Sequence, residues 1–297
     1  PHGWISNEQI IKLIDHAVQQ HGSAVQFLSF QEVLERMNQH LLAGQPLRNQ
    51  QGADNGVRLL DLNADGFMDV VIGNAQVQKT RIWNPRQQTW SETGFPTRLV
   101  AAPDAKGNQA IRGRFGVLNE QVILLTLTPE VSAAWKFDGK TWQPASELLA
   151  GLPEGQDALF TLRAGHDQGL RLRDLNHDGQ CELLVSNPKE NEIYTWSQKD
   201  TCWKKLPWSL PDSASIVDEQ GRDAGLRFVD INQDGFEDML FSNENHAALY
   251  LFASLKSGWK KVFDEDRADD GGPVPMISRK GTNNGAWFHS KHLWVQN

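Results

Sequence analysis

Apolar residues along this chain come in short runs, each cut by a polar turn, and one arrangement of runs and turns recurs. Three segments align without a gap: GVRLLDLNADGFMDVVIGN from Gly56, GLRLRDLNHDGQCELLVSN from Gly169 and GLRFVDINQDGFEDMLFSN from Gly225. In each, an apolar run precedes an acidic stretch and another follows it, which predicts two strands joined by an acidic corner. The leading aspartates Asp174 and Asp230 are 56 residues apart, while Asp61 and Asp174 are 113 apart, about two periods. A further copy is therefore expected near residue 117. It is found in GRFGVLNEQVILLTL, where Arg114 stands 56 residues after Arg58 and the acidic residues are gone.

Tryptophan supports the same period. Trp83 and Trp90, Trp135 and Trp142, and Trp196 and Trp203 are each seven residues apart, with Phe252 and Trp259 as a fourth pair. Each unit thus reads as four short strands, the last two around the aromatic pair and joined by turns such as NPRQQ and FDGK. A four-stranded unit repeated at this interval is the mark of a β-propeller blade, because one sheet cannot cover its own apolar faces and ring packing does so. The expected fold is all-β: four full blades over residues 56–297, and the start of a fifth at Gly285. A seven-bladed ring needs roughly 390 residues, so the chain is expected to be part of a larger ring. A closed four- or five-bladed ring completed by residues 43–55 is the alternative.

Ahead of the repeats, residues 8–21 carry Ile10, Ile11, Leu13, Ile14, Ala17 and Val18 at helical spacing, with Ser6 or Asn7 as cap and Gly22 as stop. AVQFLSF then reads as a strand. SFQEVLERMNQHLLAG reads as a second helix, capped by Ser29 with Glu32 three residues on. Residues 1–46 are expected to be a short α/β segment and 47–55 a linker.

The composition is that of a globular protein, 39% apolar and 22% charged, with a formal net charge of −8. No Lys and Arg cluster exceeds pairs such as Lys204-Lys205, which argues against nucleic acid as a partner. No apolar run reaches the roughly 18 residues of a membrane span. No Gly-x-Ser-x-Gly, phosphate loop or dinucleotide fingerprint occurs, and no catalytic constellation is recognisable.

The acidic corners carry the candidate chemistry. Each reads Asp-x-Asn-x-Asp-Gly-x-x-Asp/Glu, and oxygen ligands at positions 1, 3, 5 and 9, with the carbonyl of position 7, suit a hard cation such as calcium. The candidate ligands are Asp61, Asn63, Asp65, Phe67 and Asp69; Asp174, Asn176, Asp178, Gln180 and Glu182; and Asp230, Asn232, Asp234, Phe236 and Asp238. Position 12 holds Ile72, Val185 or Phe241 inside a strand, so these are not EF-hands. Three ions would take the net charge from −8 to −2. Asp and Asn serving only as turn-formers, with no ion, is the competing reading. No ion is expected in the second unit, where Val117, Gln121 and Leu125 stand in place of carboxylates.

This pattern resembles the FG-GAP/VCBS repeat of integrin-type propellers and of many secreted bacterial proteins, over about residues 56–297. The resemblance implies that calcium staples the loops without acting in catalysis, and that the setting is secreted or periplasmic. The stretch PHGWISNEQIIKLIDHAVQQHGSAVQFLSFQEVLERM is similar to the last part of a polysaccharide deacetylase domain. That family's metal-binding Asp and His-x-x-x-His motifs are absent, leaving His2 as the residue that could lie near such a site. The same order of parts resembles planctomycete-type multidomain proteins whose later domains look like haem-binding dehydrogenases, although no Cys-x-x-Cys-His occurs.

Arg58, Arg114, Arg171 and Arg227 hold one place in all four units, including the unit without acidic residues. On innermost strands they could bind an anion with forked donors, or tie one blade to the next. The paired Trp residues, on outer strands, are expected in the core between blades, with sugar-stacking platforms as the alternative; Trp208, Trp287 and Trp294 lie outside that pairing and are candidate ligand contacts. His289 and His292 fall on opposite faces of a strand-like segment, which disfavours zinc. Cys181 and Cys202 begin the second and fourth strands of one unit, roughly 9–10 Å apart. Two free, largely buried thiols follow, because a disulfide needs Cα atoms within about 7 Å.

The chain is thus expected to be a calcium-stabilised propeller module that binds a glycan or protein, or holds neighbouring domains. The rival expectation is a fragment of an enzyme, deacetylase or haem-linked dehydrogenase, in which the propeller is an accessory or an active-site wall.

Overall fold

The computed structural model describes residues 5–102, 110–267, 272–289 and 292–294. The expectations for His2, and for the side chains of His289 and His292, lie outside the described residues, but the backbone places His289 and His292 opposite one another on two paired strands rather than along one strand. The chain divides into two compact units, Pro1–Pro46 and Leu47–Asn297.

The first unit is helical. Helix α1 (Asn7–His21) opens with a capping box: Gln9 N donates to Ser6 Oγ at 3.3 Å, and Ser6 N to Gln9 Oε1 at 2.8 Å. Helix α2 (Phe30–Arg36) repeats the device with Ser29 and Glu32 and continues as a π-helical stretch over Met37–Leu41. The Ser29 amide and hydroxyl hold the Glu32 carboxyl below its ordinary range. The strand expected at AVQFLSF does not form: residues 25–29 enter no ladder, and Phe27 is 53% exposed. A strand needs an edge to pair with, and the described residues of this unit are otherwise helical and irregular. The segment is helical rather than α/β.

The second unit is built from strands β1 (Val57–Leu60), β2 (Asp69–Gly73), β3 (Gln78–Asn84), β4 (Thr89–Gly94), β5 (Gly113–Leu118), β6 (Gln121–Leu127), β7 (Ser132–Phe137) and β8 (Trp142–Pro144). After a short hairpin of β9 (Leu162–Arg163) and β10 (His166–Asp167) come β11 (Leu170–Arg173), β12 (Glu182–Ser186), β13 (Asn191–Ser197) and β14 (Cys202–Lys205). Then follow β15 (Leu226–Val229), β16 (Asp238–Ser242), β17 (His246–Ser254) and β18 (Gly258–Asp266). Two hairpins close the series: β19 (Ser278–Arg279) with β20 (Thr282–Asn283), and β21 (Trp287–His289) with β22 (His292–Trp294). The four main sheets are β1–β4, β5–β8, β11–β14 and β15–β18, each an antiparallel meander in sequence order. The protein is therefore mostly β, with one sheet per repeat.

Neighbouring sheets bury their apolar faces against one another. Leu62, Val71 and Ile82 of the first sheet pack on Val122, Leu124 and Phe137 of the second. Leu118, Ile123 and Leu125 meet Leu170, Leu183 and Trp203 of the third, and Leu175, Leu184 and Ile193 meet Met239, Phe241 and Phe252 of the fourth. The second strands β2, β12 and β16 are buried along their whole length, as expected of strands covered on both faces.

The glycine that opens three of the repeats is required by contact. Gly56, Gly169 and Gly225 have φ of +66°, +72° and +104°. A Cβ at these places would lie 2.6, 2.2 and 2.5 Å from the carbonyl oxygens of Gly73, Ser186 and Ser242.

The aromatic pairs hold in three units, with Trp83 opposite Trp90, Trp196 opposite Trp203 and Phe252 opposite Trp259. In the second unit the register differs: Trp142 faces Phe137, and Trp135 faces Pro144. There Asp138 Oδ1 accepts from the Lys140 and Thr141 amides, at 2.9 and 2.7 Å, and places the turn one residue further from Trp135. Trp208, partly exposed, packs against the fourth sheet's aromatic pair. Its ring meets Phe252 and Trp259, and its Nε1 donates to Leu255 O at 3.0 Å.

Candidate functional site

Each acidic corner joins the first strand of its sheet to the second. In the first, the Asp61 carboxylate accepts from the Asp65 and Gly66 amides at 3.1 and 2.8 Å, and Asp65 Oδ1 accepts from Phe67 N at 2.9 Å. Asn63 Nδ2 donates to Asp65 Oδ2 at 3.1 Å. The same bonds recur with Asp174, Asn176, Asp178 and Gln180, and with Asp230, Asn232, Asp234 and Phe236. The backbone turns left-handed at Ala64, His177 and Gln233, and again at Gly66, Gly179 and Gly235. Equal sequence has produced one loop three times.

The ninth position behaves differently from the others. Asp69, Glu182 and Asp238 are fully buried. Asp69 accepts from Leu62 N at 3.1 Å and Trp83 N at 2.8 Å; Asp238 accepts from Ile231 N at 3.0 Å and Phe252 N at 2.9 Å. These carboxylates pin the corner to the third strand. Glu182 is longer by one methylene and takes Leu175 N and the Thr195 hydroxyl, at 3.1 and 3.3 Å. Burial pushes all three carboxyls above their ordinary range, Glu182 to about 7, and the nearby loop aspartates add to the rise.

Among the described residues no three Asp, Glu, His or Cys side chains converge closely enough to hold a metal ion. Their carboxylates face amide donors instead. The donor chemistry nonetheless suits a hard cation, being all oxygen. In the third sheet's loop, Asn176 Oδ1 and Gln180 Oε1 are buried without a partner, two acceptors that an ion would satisfy. In the second sheet a two-residue turn, Asn119–Glu120, with φ of 51° and 62°, replaces the loop, and Val117, Gln121 and Leu125 lie on the flanking strands.

The arginines have partners that the sequence reading missed. Arg58, Arg171 and Arg227 each grip the aspartate four residues earlier with two parallel bonds, to Asp54 at 2.9 and 2.8 Å, Asp167 at 3.0 and 2.9 Å, and Asp223 at 3.0 and 2.6 Å. Each aspartate also accepts the amide of the glycine that opens the repeat. Extending the repeat two residues upstream gives Asp-x-Gly-x-Arg, with Ala110 in the aspartate's place in the second unit. Arg114, lacking that partner, reaches forward to Asp167 Oδ1 at 2.9 Å and to Leu170 O at 2.9 Å. Three arginines thus brace their own hairpins, and the fourth ties one sheet to the next.

Trp287 occupies the arginine's place in the last hairpin. It is 49% exposed and stacks on Trp294 with ring centroids 6.4 Å apart and planes at 12°. Arg173, also missed, pairs with Glu237 across the third and fourth sheets. Cys181 and Cys202 are free, as their strand positions require. Cys181 is buried as expected, and its sulfur accepts from Val117 N at 3.2 Å, whereas Cys202, on the outermost strand of its sheet, is only partly buried.

The FG-GAP-like repeat family matches residues 174–241, a span that holds the acidic corners of both the third and fourth sheets. No curated protein matches the chain. Among solved structures, an Agrocybe aegerita lectin described as recognising non-reducing terminal N-acetylglucosamine is similar at 12% identity. It gives a TM-score of 0.41 over 70% of this chain and 50% of its own. The Photorhabdus luminescens Tc holotoxin pore is similar at 13% identity, with a TM-score of 0.28 over 72% of this chain and 12% of its own. The chain therefore spans half or less of the length of each. None of these comparisons supports the deacetylase-like reading of the N-terminal segment or a planctomycete setting. No helix among the described residues is long and apolar enough to cross a membrane.

Proposed function

We propose that the second unit is a β-propeller-type module, stapled by calcium, that binds a glycan or protein or holds neighbouring domains of a secreted or periplasmic protein. The observation that carries this reading is the threefold recurrence of one acidic corner on face-packed four-stranded sheets. Asp61, Asn63, Asp65 and Asp69 with the Phe67 carbonyl would hold one ion. Asp174, Asn176, Asp178 and Glu182 with Gln180 would hold a second, and Asp230, Asn232, Asp234 and Asp238 with the Phe236 carbonyl a third. Bound calcium supplies positive charge and fixes the corner; it takes no part in a reaction. Sites of this kind in extracellular modules fill at about 0.1–1 mM calcium, a level found outside cells, which is why the reading places the protein there.

The test is calorimetry of the purified chain with calcium and with chelator. A melting temperature that falls on chelation and returns with calcium, but not with equal magnesium, supports the proposal. An unchanged melting temperature overturns it.

A further inference from the structure

We propose that the junction between the second and third sheets carries a binding cleft for one neutral pyranose residue, with Trp196 as its floor. The proposal takes up the binding-module reading but uses none of the calcium loops. It starts from the missing acidic corner. Where the second sheet has only the Asn119–Glu120 turn, a cleft of about 110 Å³ is bounded by Asn119, Gln121, Lys136 and Glu147 on one side and by Trp196 and Gln198 on the other.

The next junction shows what the short turn leaves open. Phe252 holds the place of Trp196 one repeat later and is only 4% exposed, packed in one cluster with Leu175 of the preceding sheet's acidic loop and with Phe236. Trp196 is partly exposed, and its ring is held edge-on by buried Trp203 at 5.3 Å between centroids. The indole that lines the cleft is thereby fixed in place by a buried neighbour.

The polar rim selects the ligand class. Lys136 Nζ and Glu147 Oε1 form an ion pair at 2.8 Å, both half-exposed, so the cleft gains little by taking a charged group. Lysine donors, carboxylate acceptors and the amide side chains of Gln121 and Gln198 together offer the mixed donors and acceptors that vicinal hydroxyls require. The indole takes the opposite, C–H face of the ring. The volume is well below the roughly 300 Å³ of a drug-sized pocket, so the cleft would cradle part of a single ring at the end or branch of a chain rather than enclose it.

The test is saturation-transfer NMR on the full chain with the methyl glycosides of glucose, galactose, mannose and N-acetylglucosamine, in calcium and in chelator at a temperature where both forms are folded. Transfer to the ring C–H protons of at least one glycoside is expected in both conditions. Trp196→Ala is expected to abolish it. Glu147→Gln, a surface change that leaves the fold intact, should weaken affinity about tenfold. Absence of transfer for all four glycosides at 10 mM (roughly the weak end of single-ring binding), or transfer unaffected by Glu147→Gln, overturns the proposal. Neither result touches the calcium reading, which fails only if melting ignores the chelator.

Discussion

Arg114 of the second sheet closes on Asp167 at the head of the third, Nη2 to Oδ1 at 2.9 Å, although 53 residues separate them. Asp167 also holds Arg171 through both of its oxygens, so one carboxylate serves two guanidinium groups. Arg114 is almost wholly buried. Burial lowers its pKa to about 10, still protonated at neutral pH, and Asp167 opposes that fall. The junction between the two sheets thus contains a largely buried charged contact.

Removing the buried cation should cost more than removing an exposed one. Arg114→Ala is expected to destabilise the protein by about 3 kcal/mol, since truncating one partner of a buried pair strands the desolvated groups around it. Arg227→Ala, at a half-exposed pair, is expected to cost about 1 kcal/mol or less. Urea unfolding of the two variants checks the ranking.

Burial pushes the Asp167 carboxyl up, but Arg114 and Arg171 outweigh it and hold the group below its ordinary value. A carboxyl depressed in the folded state contributes stability that is fully present above the unfolded value of about 3.9 and is lost as pH falls through the folded value. The stability gap between wild type and Asp167→Asn should therefore be constant above pH 5 and shrink steadily below pH 4. Unfolding free energies measured across that range give the comparison.

Calcium at a hundredfold excess over its dissociation constant should stabilise each occupied corner by about 2.7 kcal/mol. Three ions per chain are expected by titration, and none at the second unit. Asp65→Ala and Asp234→Ala should each loosen their own sheet first, because repeat units depend mainly on their neighbours. Hydrogen exchange that rises evenly across all four sheets would contradict this.

The two thiols should differ in reactivity. Burial, with help from Asp174 and Glu182, pushes Cys181 up to about 11 against the amide of Val117, so little thiolate is present at neutral pH. Iodoacetamide is expected to label Cys202, which is partly exposed, well before Cys181. Peptide mass spectrometry at timed intervals reads the order, and a 181–202 bridge would contradict the observed strand order.

What the chain determines by itself is local and periodic. Spacings of three residues set both capping boxes, alternation and turn chemistry set the strands, and Asp-x-Asn-x-Asp-Gly bends three corners alike because every bond within it spans two to five residues. The free cysteines also follow from strand order alone. Other features are decided by groups that arrive from far along the chain. AVQFLSF has strand-forming residues but no edge to pair with, so it stays irregular. Trp135 and Trp142 keep their spacing but lose their pairing to a turn set by Asp138. Identical arginines divide between local braces and an inter-sheet tie according to which aspartate lies within reach. The ninth-position carboxylates turn inward because only the folded sheet brings the amides of residues 83 and 252 to meet them. Backbone periodicity is a property of neighbours in sequence, whereas satisfaction of a buried polar group depends on neighbours in space.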